Sequence, residues 1–427
     1  MPVSRMLCVL AVAAIATVGQ QRPLNVVLIM TDDVGVEAFG CYGGTSYETP
    51  RIDALAKEGV RFRHCYSQPL CTPSRVKIMS GQSNLRNYVR FSVLAPDQIT
   101  FGHLLQRAGY RTAVVGKWQL YAAEHYGKLA GTGVLPEKAG FHEHCLWQVD
   151  KLGPRYPDPL IREGGENSKR EGRYGPDVFT ERACAFVKRN AERPFLLYFP
   201  MALVHNPFKP TPDRPDAKTR QGKFAAMMAY MDQCVGRIVD AVKEAGVADR
   251  TLVLFTSDNG TNKNIVSRMG GREVKGGKGL SNDRGTHVPL VAWAPGVMKG
   301  GRVLDDLIDF SDFMPTLLEA AHAKAPEGYV LDGRSFLPQV RGEKGSPRES
   351  VFVWSNPRPG KTQPVRFARD QRFKLYGDGR LFDVTADPEE HTVIPAGASA
   401  EADLVRERLR AAIDRMPKRP ARTDPDS

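Results

Sequence analysis

The apolar run at 24–30 is the feature that most constrains the fold of this chain. Its sequence, LNVVLIM, is rich in β-branched residues, and Thr31-Asp32-Asp33 follows at once. A short continuous apolar run of this kind predicts a strand that is buried on both faces, because a strand with one wet face would alternate. The polar residues after it are then expected at the carboxyl end of a buried strand.

Strands and helices alternate along the first three quarters of the sequence. We predict helices at 50–58, 101–108, 177–190, 221–245 and 312–321, and further strands at 110–115, 195–199, 251–256 and 288–293. This order predicts an α/β fold in which a large, mostly parallel sheet is flanked by helices on both faces. In such sheets ligands bind at the carboxyl ends of the strands.

The last quarter of the chain has a different pattern. Short runs at 351–355, 364–370, 372–376 and 380–384 are separated by turn residues, which predicts a small antiparallel sheet, and a helix at about 400–415 follows. We therefore divide the chain into a leader at 1–19, a large domain at 20–330 and a C-terminal subdomain with a basic tail at 331–427. The stretch 150–177, crowded with Gly, Pro and charge, is predicted to be a long surface insertion.

Residues 1–19 have the pattern of a signal peptide. Arg5 precedes an Ala-rich apolar run at 6–18 that is too short for a membrane span and ends near small residues suited to cleavage. The mature protein is therefore expected to be secreted or periplasmic, with a buried N-terminal helix as the alternative. No other segment is long and apolar enough to span a bilayer.

The charge balance gives little support to a nucleic-acid partner. Lys and Arg number 60 against 48 Asp and Glu, a net charge of +12. Seven cations against two acids at 406–422 supply +5 of this, so the body is only mildly basic. We find no recognition helix, RNP motif or zinc-finger spacing that would favour nucleic acid. The spacing of the cysteines also resembles neither a zinc site nor a dense disulfide framework. Anionic substrates are compatible with this balance.

Two pairs of oxygen-bearing residues follow predicted strands. They are Asp32-Asp33 and Asp258-Asn259. All-oxygen ligand sets select hard cations such as Ca²⁺ or Mg²⁺. Each pair alone has a simpler explanation, since Asp-Asn-Gly is a common turn. Two such pairs at strand ends together favour a cation site.

Cys71 opens the segment CTPSR and is expected at the N-terminus of a helix, with Pro73 in its first turn. The free N–H groups and partial positive charge of that end lower the pKa of a thiol and attract an anion. The alternative is an inert, small apolar side chain at a helix start.

The segment Cys71-Thr72-Pro73-Ser74-Arg75 resembles the signature of the formylglycine-dependent sulfatases, in which this Cys is oxidised to Cα-formylglycine. The similarity continues through the segments 25–33, 116–118, 200–208, 255–260, 276–289 and 373–390. It implies the alkaline-phosphatase-like α/β fold, with 20–330 as the catalytic domain. It also implies hydrolysis of sulfate esters of a carbohydrate or an aryl alcohol.

The resemblance assigns a cation site and a nucleophile. Asp32, Asp33, Asp258 and Asn259, with the side chain of residue 71, would hold a divalent cation, Ca²⁺ or else Mg²⁺, that polarises the sulfate oxygens. One hydroxyl of the hydrated formylglycine would attack sulfur, and the other would allow release of free sulfate.

The resemblance also assigns the basic residues. Arg75 would support residue 71, while Lys117 and Lys278 would bind the sulfate oxygens and neutralise charge in the transition state. His205 would contact the substrate and protonate the leaving group. The alternatives are that the two lysines are solvated surface cations and that His205 is a structural loop residue.

Gln119 departs from the family pattern, which has His after Gly-Lys-Trp. A glutamine can form hydrogen bonds but cannot take a proton at neutral pH. Another base or a water would then serve, or turnover would be slower, and His125 lies nearby in sequence. Arg284 and His287 are expected either at the rim of the substrate site or in loop packing.

The expected partners are a sulfated glycan or small molecule and a formylglycine-generating enzyme that matures Cys71. Two other functions stay open at this point. One is a phosphonate monoester hydrolase or phosphodiesterase on the same fold, and the other is a non-catalytic binder of sulfated polysaccharide. An intact motif at 71–75 disfavours the binder, which has no need of it.

Overall fold

The computed structural model describes residues 22–359 and 361–422. The signal peptide predicted at 1–19 lies outside these residues. Across the ranges described, no helix combines the length and the apolar character that a membrane crossing requires.

The strands of the described chain, in order, are β1 Asn25–Thr31, β2 Val60–Tyr66, β3 Tyr88–Arg90, β4 Val93–Leu94, β5 Arg111–Lys117, β6 Glu143–Trp147, β7 Leu160–Glu163, β8 Glu166–Lys169, β9 Phe195–Pro200, β10 Thr251–Ser257, β11 Val266–Met269, β12 Arg272–Lys275, β13 His287–Trp293, β14 Arg302–Asp309, β15 Val351–Ser355, β16 Val365–Arg369, β17 Phe373–Tyr376 and β18 Leu381–Asp383. The α-helices are α1 Pro50–Glu58, α2 Cys71–Ser80, α3 Asn84–Asn87, α4 Phe101–Arg107, α5 Gly175–Arg189, α6 Arg220–Glu244, α7 Asp283–Thr286, α8 Phe313–Ala320, α9 Leu337–Arg341 and α10 Ala400–Asp414.

The main sheet has ten strands in the order β14-β2-β13-β10-β1-β9-β5-β6-β7-β8. The five central strands, β10, β1, β9, β5 and β6, run parallel to one another. This confirms the predicted α/β fold with a mostly parallel sheet. The carboxyl ends of these five strands meet along one edge, where the polar residues predicted from the sequence follow them.

Strand β1 lies at the centre because it is apolar on both faces. Val26 and Leu28 join the core that contains α2, α4 and α8, while Val27 and Ile29 join the opposite core, which contains α1, α5 and α6. All seven residues of the strand are buried. The continuous apolar run in the sequence is thus explained by helical layers on both sides.

Two parts of the sheet differ from the expectation. Strand β13, predicted within a parallel sheet, runs antiparallel to both β10 and β2. The connection from β10 to β13 contains the hairpin β11–β12 and the single turn α7 instead of a long crossover helix, so the chain can reverse direction. The stretch 150–177 is more than a surface insertion, because β7 and β8 within it extend the sheet beyond β6.

The C-terminal region forms the predicted small sheet, with the antiparallel order β15-β16-β17-β18. Helix α10 packs on it through Val405 and Leu409 against Leu375 and Leu381. The domain limits 20–330 and 331–427 stay predictions.

Candidate active site

The two oxygen-bearing pairs lie side by side because their strands are parallel neighbours. Thr31 at the end of β1 is in register with Ser257 at the end of β10. The backbone N–H of Asp33 donates to Oδ1 of Asp258 at 3.1 Å, and Nδ2 of Asn259 donates to Oδ1 of Asp33 at 2.9 Å. Both residues of each pair are fully buried.

Three cations neutralise these carboxylates. The Nζ atoms of Lys117 and Lys278 lie 2.7 Å from Oδ2 of Asp32 and Oδ2 of Asp33, respectively. Nη2 of Arg75 lies 3.0 Å from Oδ2 of Asp258. The side chain of Lys117 is 1% exposed and that of Lys278 is 17% exposed, so neither is a solvated surface cation.

Helix α2 begins at Cys71, with Pro73 in its first turn, as the sequence predicted. Two contacts fix this helix to the strand ends. The Ser74 hydroxyl donates to the carbonyl of Asp258 at 2.5 Å, and Nη1 of Arg75 donates to the carbonyl of Lys117 at 3.0 Å. Residue 71 is thereby held at the edge of the sheet on which the carboxylates lie.

The sequence predicts that the helix N-terminus lowers the pKa of Cys71. This prediction is wrong, because the net shift of that pKa in the folded protein is upward. Burial raises the pKa of this thiol above its usual value, and it outweighs the opposing charges of Lys117 and Lys278. The nearby carboxylates Asp258 and Asp32 raise it further. An unmodified Cys71 is therefore a poor nucleophile, since only the thiolate attacks readily.

His205 lies in the loop after β9 and reaches the same carboxylates. Its Nε2 is 3.7 Å from Oδ2 of Asp33, and ligand atoms of Asp32, Asp33 and His205 lie within 4.8 Å of one another. Burial lowers the pKa of His205 to about 4, with Lys117 and Lys278 acting in the same direction against both aspartates. The imidazole is thus neutral near pH 7.

Two buried oxygen atoms that lack a donor among the described residues indicate that this cluster of carboxylate and amide side chains suits a hard cation. Oδ1 of Asp32 and Oδ1 of Asn259 are buried, and no donor reaches either of them from the residues described. Burial raises the pKa of Asp258 to about 7, and the charge of Asp32 adds to that shift. Buried acceptors without donors are costly, and a divalent cation bound by oxygen atoms would satisfy both of them.

Sequence reasoning missed two residues that hold His205 in place. Arg155 and Tyr156 come from the stretch 150–177. Nη2 of Arg155 lies 3.1 Å from Nδ1 of His205, and the Tyr156 hydroxyl contacts the carbonyls of Ala202 at 2.9 Å and His205 at 2.5 Å. Their burial depends on contacts with the loop that carries His205, which lies 50 residues further along the chain from Arg155. No local sequence pattern therefore indicates it.

Gln119, where the family pattern has His, is buried after β5. Its backbone N–H donates to the carbonyl of Gln148 at 3.1 Å, and its side-chain Oε1 is a buried acceptor with no donor within the described ranges. The ring of His125 packs on Tyr126, with centroids 4.3 Å apart. These contacts do not identify a base that replaces the family histidine.

Arg284 and His287, which the sequence places either at the rim of the substrate site or in loop packing, form loop-packing contacts. Arg284 forms an ion pair with Glu389 at 2.5 Å. Nε2 of His287 lies 2.7 Å from the carbonyl of Arg63. Both side chains therefore have structural partners.

Comparison with known proteins gives the class of this site. Residues 24–323 match the family model Sulfatase, and residues 277–418 match the model N-sulphoglucosamine sulphohydrolase, C-terminal. The chain belongs to the sulfatase family, and it is a sulfuric ester hydrolase. The match to the first model includes every candidate site residue named above.

Three relatives illustrate the similarity. The chain is 31% identical to N-acetylgalactosamine-6-sulfatase of Canis lupus familiaris over 379 residues, covering 79% of this chain and 70% of the relative. It is 30% identical to human arylsulfatase A over 422 residues, covering 90% and 81%. The crystal structure of Ps i-CgsB in complex with k-i-k-neocarrahexaose superposes with a TM-score of 0.75 at 25% identity, covering 92% and 94%.

Proposed function

We propose that this enzyme cleaves sulfate esters on a glycan, using residue 71 after its oxidation to formylglycine together with a bound divalent cation. The observation that supports this best is the position of Cys71, which begins α2 beside buried oxygen ligands and the ammonium groups of Lys117 and Lys278. The raised pKa of the thiol agrees with a need for modification.

Asp32, Asp33, Asp258 and Asn259, with the side chain of residue 71, would hold the cation, and Ca²⁺ suits this donor set best. When bound, the cation supplies Lewis-acid polarisation of the sulfate oxygens. The orphaned oxygens of Asp32 and Asn259 support this assignment.

The modified residue 71 supplies the attacking hydroxyl, and the chain's own groups hold it in place. Arg75 donates to the Lys117 carbonyl and pairs with Asp258, so it fixes α2 against two strand ends. A displacement of about 1 Å in such a group costs about 10²-fold in rate, which is why a buried guanidinium held through both of its terminal nitrogens is useful here.

Lys117 and Lys278 bind the non-bridging oxygens of the sulfate in this proposal. Both ammonium groups are already desolvated and aligned by Asp32 and Asp33, so little reorganisation accompanies the reaction. Donors aimed in advance at developing charge are worth more in a site that excludes water than in water.

His205 would assist the departing alcohol through Nε2, the nitrogen that faces Asp33. With its pKa lowered to about 4, the imidazole is a strong acid when charged but is rarely charged in the empty site. The negative charge of a bound sulfate ester would raise the charged fraction. General-acid assistance of this kind is worth about 10²–10⁴ in rate.

The glycan substrate is supported by the relatives. One of them is called N-acetylgalactosamine-6-sulfatase, and Ps i-CgsB was solved with an oligosaccharide. Export through the segment 1–19 and maturation by a formylglycine-generating enzyme belong to the same proposal. The phosphonate or phosphodiester alternative is not favoured, because the curated relatives named above are sulfatases.

The test is release of inorganic sulfate from a panel of sulfated mono-, oligo- and polysaccharides and aryl sulfates. The protein is co-expressed with a formylglycine-generating enzyme, and Cys71→Ala is the matched control. We expect sulfate from the wild type only. Release by both proteins, or by neither when residue 71 is shown to be the aldehyde, would overturn the proposed route, and a parallel assay of phosphonate and phosphodiester substrates identifies the alternative.

A further inference from the structure

Arg155 is a buried cation with no carboxylate partner among the described residues. Six lysine and arginine residues of the described chain are buried. Five of them form an ion pair with Asp or Glu, and these are Arg75, Lys77, Lys117, Arg369 and Lys374. Arg155 is 9% exposed, and within 4.0 Å of it the described residues place no carboxylate oxygen. Since buried charges are normally paired, its partner is expected to come from elsewhere.

The guanidinium of Arg155 lies between the loop that carries His205 and the aromatic rings of Trp147 and Tyr156. The guanidinium carbon lies 4.3 Å from the ring centroid of Trp147 and 5.3 Å from that of Tyr156. Nη2 contacts Nδ1 of His205 and the carbonyl of Asn206, while Nε is buried without an acceptor in the part of the chain described. The group is therefore rigid, and its hydrogen-bonding capacity is incompletely used.

A cavity of about 570 Å³ opens beside this guanidinium, and Pro207 and Lys209 of the His205 loop also line it. This volume lies within the range of about 300–1,000 Å³ that is typical of small-molecule sites. Its charged lining is Arg155, Lys169 and Lys209 against Asp158. Lys169 pairs with Glu171 at 3.3 Å. Arg155 and Lys209 then stand against the single carboxylate of Asp158, so the net charge of the cavity lining is positive.

His205 lies between the carboxylates of the strand ends and Arg155, which lines the cavity. Nε2 of His205 faces Asp33, and Nδ1 faces Arg155. A second cavity of about 470 Å³ shares Lys209 and extends the path along the surface toward Arg173. A glycan whose sulfate binds Lys117 and Lys278 beside Nε2 of His205 could extend past this imidazole, and its next sugar unit would then lie beside Arg155.

We propose that Arg155, with Lys209, binds a second anionic group, a sulfate or a carboxylate, on the sugar unit next to the one that carries the scissile sulfate. This inference rests on the proposed function, since it names the class of glycan that the same site takes. The planar guanidinium matches the geometry of either anion, and Lys209 adds a mobile charge. The enzyme is then selective for polyanionic glycans over isolated sulfate esters.

The experiment compares Arg155→Ala, Arg155→Lys and the exposed control Arg107→Ala, all matured like the wild type. The substrates are three disaccharides with the same scissile sulfate and a neutral, a sulfated or a carboxylated neighbour. We expect Arg155→Ala to lower kcat/KM on one or both anionic substrates about 10- to 100-fold more than on the neutral one, whose own loss reports the weaker hold on His205. Arg155→Lys should recover part of the loss, and Arg107→Ala should match the wild type.

Binding gives a readout that does not depend on turnover. Calorimetry of the same disaccharides is done on Cys71→Ala protein with and without Arg155→Ala, so failure of maturation or of the proposed chemistry leaves this arm intact. The anionic disaccharides should lose affinity selectively, and the sulfated and carboxylated arms tell which anion is bound. Equal losses on neutral and anionic sugars would show that Arg155 only positions His205, and they would overturn the proposal, as would no loss at all.

Discussion

The two walls of the active site are built in different ways. The strand-end wall consists of Asp32, Asp33, Asp258, Asn259 and helix α2, and each of its cations has a carboxylate partner. The insertion wall consists of the stretch 150–177 and the loop 201–207, and its buried Arg155 has no carboxylate partner among the described residues. The first wall holds the charges that bind the cation and the sulfate, whereas the second leaves Arg155 for an anion that a substrate can bring. Loops on a rigid scaffold commonly carry such recognition.

Removal of the divalent cation is the strongest way to separate the two walls. Chelation should abolish sulfate release on every substrate, because Asp32 and Asp33 then hold Lys117 and Lys278, the groups needed for the sulfate. Ca²⁺ at about 100 times its Kd should restore activity and add about 2.7 kcal/mol of stability. Thermal melts and sulfate assays measure both effects, with Asn259→Leu as the variant that should lose the Ca²⁺-dependent shift. Full activity in chelator would contradict the strand-end assignment.

Lys117→Met should lower kcat about 10²–10³-fold on all sulfate esters alike, since it removes one preorganised donor to the sulfate. It also leaves Asp32 without its nearest cation, a loss of about 3–5 kcal/mol in cation-free protein.

The matched control for this variant is Lys77→Met, which breaks the buried pair with Asp309 at 2.6 Å. It should cost similar stability in a thermal melt and leave kcat within about 3-fold. An effect of Lys117→Met that varies strongly between substrates would place this lysine in recognition instead of chemistry.

His205→Gln sharpens the comparison because His205 lies where the two walls meet. We expect about a 10²-fold loss of kcat on sugar sulfates, whose alkoxides are poor leaving groups, and a much smaller loss on 4-nitrophenyl sulfate. The ratio of the two losses is the measurement. Equal losses on both substrates would argue against a role in protonating the leaving group.

Tyr156→Phe should have the smallest effect. It removes a hydroxyl whose single hydrogen is shared between the carbonyls of Ala202 and His205, at a cost of about 1–3 kcal/mol because a buried acceptor loses its donor. Unfolding in denaturant measures this cost. Activity should fall only a few-fold, and a larger loss on sugar than on aryl sulfates would show that the insertion wall acts through His205.

The strand-end wall could be predicted from the sequence because its signals are local. Buried strands produce continuous apolar runs, as at β1 and β10, and their polar ends follow directly. The start of α2 at Cys71 was readable from Pro73. Strand β2, VRFRHCY, was missed because its alternating charged residues do not form an apolar run.

The insertion wall could not be predicted, because the burial of Arg155 depends on the tertiary contact with Trp147 and the loop 201–207. The pKa of Cys71 shows the same limit on prediction from the sequence. The helix N-terminus is visible in the sequence, but the burial that outweighs it follows only from the folded structure.

The most direct test of the account is the mass of the peptide that contains residue 71, taken from fractions of the matured protein that differ in specific activity. The account predicts that sulfate release rises in proportion to the fraction of residue 71 present as the aldehyde. It also predicts that fractions with an intact thiol are inactive, since burial raises the pKa of that thiol. Full activity in a fraction whose Cys71 is unmodified would contradict the account.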